Sequence, residues 1–217
     1  GIGDDPSHVD TNRARLAEAI AAAPVYLEQV HGTRVATLRD GRPVAEPADG
    51  SVTTLPGIAC TVQVADCLPV LFAAPAGVGA AHAGWRGLAG GVLEATVAAL
   101  CEAVACRPSE LRAWLGACIG PANFEVGADV LAAFGVAPGA PDASPRFVAR
   151  DTPGKWLADL PGLARDRLLT AGVRDVSGGR WCTVADASRF FSFRRERVTG
   201  RMAGLVWIDA GVGRRGR

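Results

Sequence analysis

The sequence predicts an α/β fold of the mixed, α+β kind: one domain in which layered mixed β-sheets lie between helices. Three observations carry that expectation. Helix-length stretches with one apolar face recur along the chain. Short apolar or alternating runs, broken by Gly, Pro and Asp, fall between them without strict β-α-β alternation. No linker, internal repeat or long charge run divides the 217 residues, a length that suits one sizeable domain.

Residues 7–22 read as a helix, with Ser7 or Asp10 as cap, Val9, Leu16 and Ile20 on the apolar face, and Pro24 as a stop. Two β-like runs follow at 25–30 and 34–38, split by His31-Gly32-Thr33. From Ser51 to His82 the pattern is strand-rich, with runs at 58–64, 68–73 and 78–82. The clearest helix spans 90–104, where Val92, Leu93, Val97, Leu100 and Val104 share one side. A buried strand is expected over 111–119, then helices over 126–134 and 157–171. Further strands are expected at 181–184, 190–193 and 202–208, and residues 213–217 read as a frayed tail.

Hydrophobic residues make up 49% and charged residues 21%, a globular balance. A formal charge of +1 gives no global reason for nucleic acid or an acidic membrane as partner. No apolar run approaches the roughly 18–20 residues that span a bilayer, and Gly1 opens no signal-peptide pattern. Of the six cysteines, Cys60, Cys101 and Cys118 sit among apolar neighbours, where a free thiol behaves as a small hydrophobe. The chain is no short secreted scaffold, so a reduced, cytoplasmic protein is expected.

Three residues stand out: His31, Cys67 and His82 each occupy a polar island in an apolar stretch, and the chain has only three histidines. Imidazole and thiolate are preferred zinc ligands, and three protein ligands with an open fourth position make a catalytic site. Their long, irregular spacing is not that of a structural C-x-x-C site. The residues alone also fit two rim histidines and a buried thiol, or a Cys67–His82 nucleophile–base pair oriented by Asp66. A carboxylate beside Cys67 disfavours a free thiolate, whereas a metal would deprotonate the thiol outright, which favours the ligand role.

Other clusters carry paired readings. His82 to Gly87, running into Gly90 and Gly91, reads as an anion-binding loop with Arg86 as a charged fork, or as a plain strand-to-helix turn. Arg194, Arg195, Arg197 and Arg201 lie among aromatics, suited to phosphate or base, or to an exposed salt-bridged hairpin. Cys118, in Gly116-Ala-Cys-Ile-Gly-Pro121, reads as pocket lining; Glu125 reads as an acid–base group or a helix cap.

Together these islands resemble one family, known first as laccase-domain or multicopper polyphenol oxidases and later as purine nucleoside phosphorylases with adenosine deaminase activity. The matching stretches are Gln29-Val-His-Gly32, Ala48-Asp-Gly50, Ala65-Asp-Cys-Leu-Pro-Val70 and Ala81-His-Ala-Gly-Trp-Arg-Gly87. Gly116–Pro121, Phe124-Glu-Val-Gly127, Phe193-Arg-Arg195 and Thr199-Gly-Arg-Met202 complete the set, in order along nearly the whole chain. The resemblance implies a zinc site of His31, Cys67 and His82 in a pocket for a purine nucleoside. It implies phosphorolysis of adenosine or inosine, with methylthioadenosine a further substrate, to free base and ribose 1-phosphate, and adenosine deamination besides. Arg86, Arg194, Arg195 and Arg201 would hold phosphate, Cys118 would line the pocket, and Asp66 and Glu125 would move protons. No nucleic acid or membrane partner is implied, and the assembly would be a monomer or homodimer. The family usually carries a further N-terminal segment with an Arg-Gly-Gly-like motif, whereas this sequence opens at Gly1-Ile-Gly-Asp-Asp-Pro6; site residues from that segment are expected to be absent. A four-copper oxidase needs about ten histidines. Three cannot supply them, so copper would be an adventitious occupant of the zinc site. The alternatives are a metal-free Cys67–His82 hydrolase and a non-catalytic nucleoside- or phenol-binding protein.

Overall fold

The computed structural model describes residues 3–137 and 144–211. The chain begins with α1 (Pro6–Ile20) and the short strands β1 (Ala23–Val25) and β2 (Val35–Thr37). Four strands follow in close succession: β3 (Gly50–Thr53), β4 (Ile58–Val64), β5 (Leu68–Ala74) and β6 (Gly77–Ala83). Helices α2 (Trp85–Gly90) and α3 (Val92–Val104) lead to β7 (Arg112–Leu115). Next come β8 (Glu125–Val126), α4 (Ala128–Ala133), β9 (Phe147–Ala149), β10 (Trp156–Ala158) and α5 (Leu160–Thr170). The last described elements are β11 (Asp175–Gly178), α6 (Phe193–Glu196) and β12 (Met202–Trp207).

A six-stranded mixed sheet, ordered β11-β7-β5-β6-β3-β2, forms the centre. Two three-stranded sheets, β1-β4-β12 and β8-β10-β9, accompany it. The mixed α/β class expected from the sequence is thus the class observed. Strand β6 is buried along its whole length, so both of its faces must be covered. Its residues alternate accordingly. Ala81 and Ala83 join a core with Leu93, Val97 and Leu100 of α3, while Val78 and Ala80 join one with Cys60 and Val62 of β4. Small residues let α3 lie close to the sheet: a Cβ at Gly77 would stand 2.7 Å from Val104 Cγ1, and one at Gly50 2.8 Å from Thr96 Oγ1. Alternation turns His82 toward the second sheet, away from α3. Pairing sets it opposite Pro69 of β5, and Gly50 of β3 opposite Ala81.

Several expected elements differ, each for a local reason. Helix α1 is capped by Asp5, whose carboxylate accepts the Ser7 N–H, with Pro6 in the first turn. The expected strand at 25–30 stops at Val25, because the N–H groups of residues 30–32 are spent on a side chain described below. The run at 34–38 contracts to β2. The helix expected over 90–104 is α3, which starts two residues later because Gly91 takes φ +103° and separates it from α2. Strand β7 ends at Leu115, and Gly116 N–H then donates to the Pro69 carbonyl. Beyond it only Cys118 and Cys182 form a lone bridge, so 181–184 is not a strand. The aromatic run 190–193 is not a strand either: Ser192 accepts the Arg195 N–H and starts α6. Strands β8 and β10 take the first residues of two expected helices, whose remainders are α4 and α5. The tail expected at 213–217 lies outside the described residues. Among the described residues no helix is long and apolar enough to cross a membrane.

Leu100 is fully buried where α3 meets β6. Leu100→Ala is expected to cost about 2–5 kcal/mol through lost transfer energy and the cavity it leaves. A fall in the urea midpoint at unchanged slope would show it.

Candidate metal centre

Asp49 is a carboxylate with no exposed surface, placed immediately before β3. Its Oδ1 accepts from the His31 N–H at 2.9 Å and from His82 Nδ1 at 2.8 Å. Its Oδ2 accepts from the Val30 and Gly32 N–H groups at 3.0 and 2.8 Å. Four donors fill the lone pairs of one buried carboxylate. Burial opposes its ionised form, but the bonds from His82, Gly32 and Val30 outweigh that and hold it below the usual carboxylate range. These bonds fix the turn in which His31 takes φ +62°, an uncommon conformation for a side-chain-bearing residue. They also fix the His82 ring: with Nδ1 donating to Asp49, Nε2 is the nitrogen left to bind a ligand.

Cys67 comes from the turn between β4 and β5. Its Sγ lies 3.7 Å from His31 Nε2, and the ligand atoms of His31, Cys67 and His82 all fall within 4.8 Å of one another. Zn–S and Zn–N bonds of about 2.3 and 2.1 Å set tetrahedral S and N donors about 3.6 Å apart. The Cys67–His31 spacing matches that value. The two imidazole rings meet edge-on, their centroids 4.8 Å apart. His82 is buried, Cys67 half-buried and His31 exposed, so the cluster opens to solvent on one side. Gly84 makes room for it: a Cβ there would lie 2.8 Å from His31 Cδ2 and 3.0 Å from Cys67 Sγ. Donor set, spacing, supporting carboxylate and open side all fit a metal ion with three protein ligands and a free position.

Asp66 precedes Cys67 with φ +96°, and its carboxylate serves as a tether. Oδ1 accepts the Thr183 hydroxyl at 2.5 Å and Oδ2 the Arg194 N–H at 2.6 Å, while its carbonyl takes the Ile119 N–H. One residue therefore holds the Cys67 turn against three distant segments. Arg86 lies in α2 just beyond Gly84; it is exposed, stacked 4.3 Å over Trp85, and among the described residues has no ion pair.

The other expected site residues have different partners. Arg194 donates to the Glu125 carbonyl at 3.1 Å and lies over Phe124. Glu125 is thereby linked to the Asp66 tether through Arg194, but its carboxylate faces Arg150 at 3.7 Å. Arg195 spends its guanidinium on the carbonyls of Thr183, Val184 and Phe190 and on Glu196. Its five N–H donors are thus used internally. Arg201 bonds the Thr199 and Gly200 carbonyls. Cys118 is buried, bonds the Ile119 carbonyl, and has its thiol pushed far up by burial. Asp49 and Thr183 help hold the site without having been assigned a role from sequence, and Gly84 was read only as part of an anion-binding loop. The signal for Asp49 was present: an acid set between small residues at the head of a buried strand.

Burial works against the Cys67 thiolate, yet hydrogen bonds with His31 and His82 overcome it and bring the thiol down to about 6. Burial also works against protonated His82, yet Asp49 and Cys67 bring it up to about 9. The signs follow. Raised His82 contributes stability at low and neutral pH that is lost as pH rises through about 9. Depressed Cys67 contributes stability that is lost as pH falls through about 6. The melting temperature of the metal-free protein is therefore expected to peak between those values, and a monotonic profile would contradict the Cys67–His82 pair. Asp49→Asn places an amide N–H against the N–H groups of the 30–32 turn or His82. Zinc affinity, measured by competition with a chelating dye, is expected to fall about 10–100-fold.

The family model described as multi-copper polyphenol oxidoreductase laccase matches residues 1–209. Purine nucleoside phosphorylase PA4543 of Pseudomonas aeruginosa is 47% identical over 210 residues, covering 96% of this chain and 84% of that one. Purine nucleoside phosphorylase YfiH of Escherichia coli is 46% identical over 210 residues, covering 95% and 83%. The crystal structure of protein NMB0706 of Neisseria meningitidis superposes with a TM-score of 0.87 at 44% identity, covering 96% and 84%. The chain belongs to the multi-copper polyphenol oxidoreductase laccase family, among relatives that carry the name purine nucleoside phosphorylase.

Proposed function

We propose that the chain is a zinc-dependent purine nucleoside enzyme. It splits adenosine or inosine with phosphate into free base and ribose 1-phosphate, and deaminates adenosine in the same pocket. The observation that carries this reading is the His31–Cys67–His82 cluster, held by buried Asp49 and open on one side. The names of the relatives supply the substrate class. His31, Cys67 and His82 would hold the zinc ion, which would supply Lewis-acid chemistry there.

The chain's own residues do the rest. In phosphorolysis a phosphate oxygen forms the bond to C1′ as the C1′–N9 bond breaks and the base takes the electron pair. Arg86 follows Gly84 by two residues and among the described residues makes no side-chain hydrogen bond or ion pair, so it is assigned to the phosphate. Arg194 retains donors beyond its single bond to Glu125 and is the second candidate. Arg195 and Arg201 shape the backbone instead. For deamination, Asp66 is the carboxylate nearest in chain to a ligand, and each oxygen keeps a lone pair to hold the moving proton. Glu125 stands one link further away, through Arg194.

A cavity of about 410 Å³ lies along β12, between Pro69, Trp114, Phe190, Met202 and Trp207. None of the three ligands lines it, and its apolar wall offers little to ribose or phosphate, so it is not taken as the nucleoside site. The oxidoreductase name of the family reaches no further here than a single copper ion on the same donors, which Cu²⁺ would bind tightly.

Zinc-loaded protein incubated with adenosine or inosine, with and without phosphate, is expected to release base only when phosphate is present. His82→Ala and Cys67→Ala should lose both activities, while a chelator-resistant activity killed by thiol alkylation would favour a Cys67–His82 hydrolase instead. Asp66→Asn should lower formation of inosine from adenosine by more than about 100-fold and, because it also loosens the Cys67 turn, lower phosphorolysis to a smaller extent.

A further inference from the structure

The end of α3 carries two thiols that the metal centre does not use. Ala105 takes the left-handed conformation just past the helix, and its N–H donates to the Cys101 carbonyl. The Cys106 N–H reaches the same carbonyl at 3.1 Å. In this kind of helix ending, the residue after the left-handed one packs against the residue five positions before it. Both contact positions are cysteine here. Their sulfurs lie 3.9 Å apart, in van der Waals contact, and both side chains are half-buried rather than sealed in the core. A disulfide needs roughly 2.05 Å between sulfurs. The remaining gap is of a size that side-chain rotation covers. Cys60 and Cys118, by contrast, are fully buried.

We propose that Cys101 and Cys106 are a peroxide-sensitive dithiol that closes reversibly into an intramolecular disulfide across the C-terminal cap of α3. The Cys106 thiolate attacks one peroxide oxygen; the O–O bond breaks and, with a proton, the first water leaves, giving a sulfenic acid. Cys101 then attacks that sulfur, the S–S bond forms, the S–O bond breaks and the second water leaves. Two thiols lose two electrons and two protons, and one peroxide becomes two waters. Burial, Cys106 and Glu110 push the Cys101 thiol up to about 11, which disfavours its thiolate and suits Cys101 to the second, resolving step. The bridge has a structural consequence as well. Leu100 and Val104, in the same turns, pack on Gly77 at the start of β6, the strand that carries His82. Closing the cap covalently holds that contact in place.

The sequence makes the test clean. Arg107 precedes Pro108, where trypsin does not cut, so one tryptic peptide, residues 87–112, holds both thiols and no other cysteine. Zinc-loaded wild-type protein is treated with stoichiometric hydrogen peroxide, alkylated with iodoacetamide and digested. The peptide is expected to be unalkylated and about 2 Da lighter than its reduced form, and to regain both alkylation sites after dithiothreitol. The oxidised protein should also melt several degrees higher than the reduced one, a shift absent from Cys101→Ser and Cys106→Ser. Two alkylated thiols after peroxide would overturn the proposal. So would sulfinic or sulfonic acid without a bridge, or a disulfide between chains. The peptide readout uses wild-type protein, so it stands whether or not either variant folds.

Discussion

The site depends on one buried carboxylate. Asp49 has no access to water, so every lone pair it carries must be met inside the protein. The donors that meet them are the backbone of the turn bearing one candidate ligand, His31, and the ring of a second, His82. Two segments about fifty residues apart are thereby locked to the same atom pair. Asp49 itself is held by the pairing of β3 with β6, whose register also carries His82. The third candidate ligand, Cys67, has its own tether in Asp66, which binds its turn to Thr183, Ile119 and Arg194. The fold thus reaches the cluster through two acids, one buried and one half-buried, and neither needs to touch a metal to set its geometry.

Much of this was legible in the sequence, and the limits are physical. Continuous apolar runs gave β4, β5 and β6 almost residue for residue, because a strand buried on both faces has no polar side to blur its pattern. His31, Cys67 and His82 were legible because a polar residue inside such runs needs a reason. What failed was read from local propensity alone. Residues 26–30 look like strand, but the N–H groups of residues 30–32 belong to Asp49 rather than to a neighbouring strand. Residues 190–193 look like strand from their aromatics, yet Ser192 caps a helix. The helix over 90–104 did hold as α3; only its start, set by the left-handed Gly91, is not revealed by periodicity.

Side-chain roles were legible only as lists. Sequence offered four arginines for an anion, and hydrogen bonding separates them. Arg195 is consumed by four neighbours and Arg201 by two carbonyls, whereas Arg86 is stacked, exposed and without an ion pair among the described residues. Asp49 appeared in the sequence as one letter between Ala48 and Gly50, and only the pairing of β3 with β6 shows what it organises. Residues that bind a ligand tend to betray themselves by type; residues that hold them in place do so by contact.

The central claim is that His31, Cys67 and His82 bind one metal ion together. X-ray absorption at the zinc edge tests it most directly, on protein loaded with one equivalent of zinc. The account predicts one sulfur at about 2.3 Å and two imidazole nitrogens at about 2.0–2.1 Å, with a lighter fourth ligand. It also predicts loss of the sulfur shell in Cys67→Ser. A spectrum without sulfur, or with two or more, would contradict it.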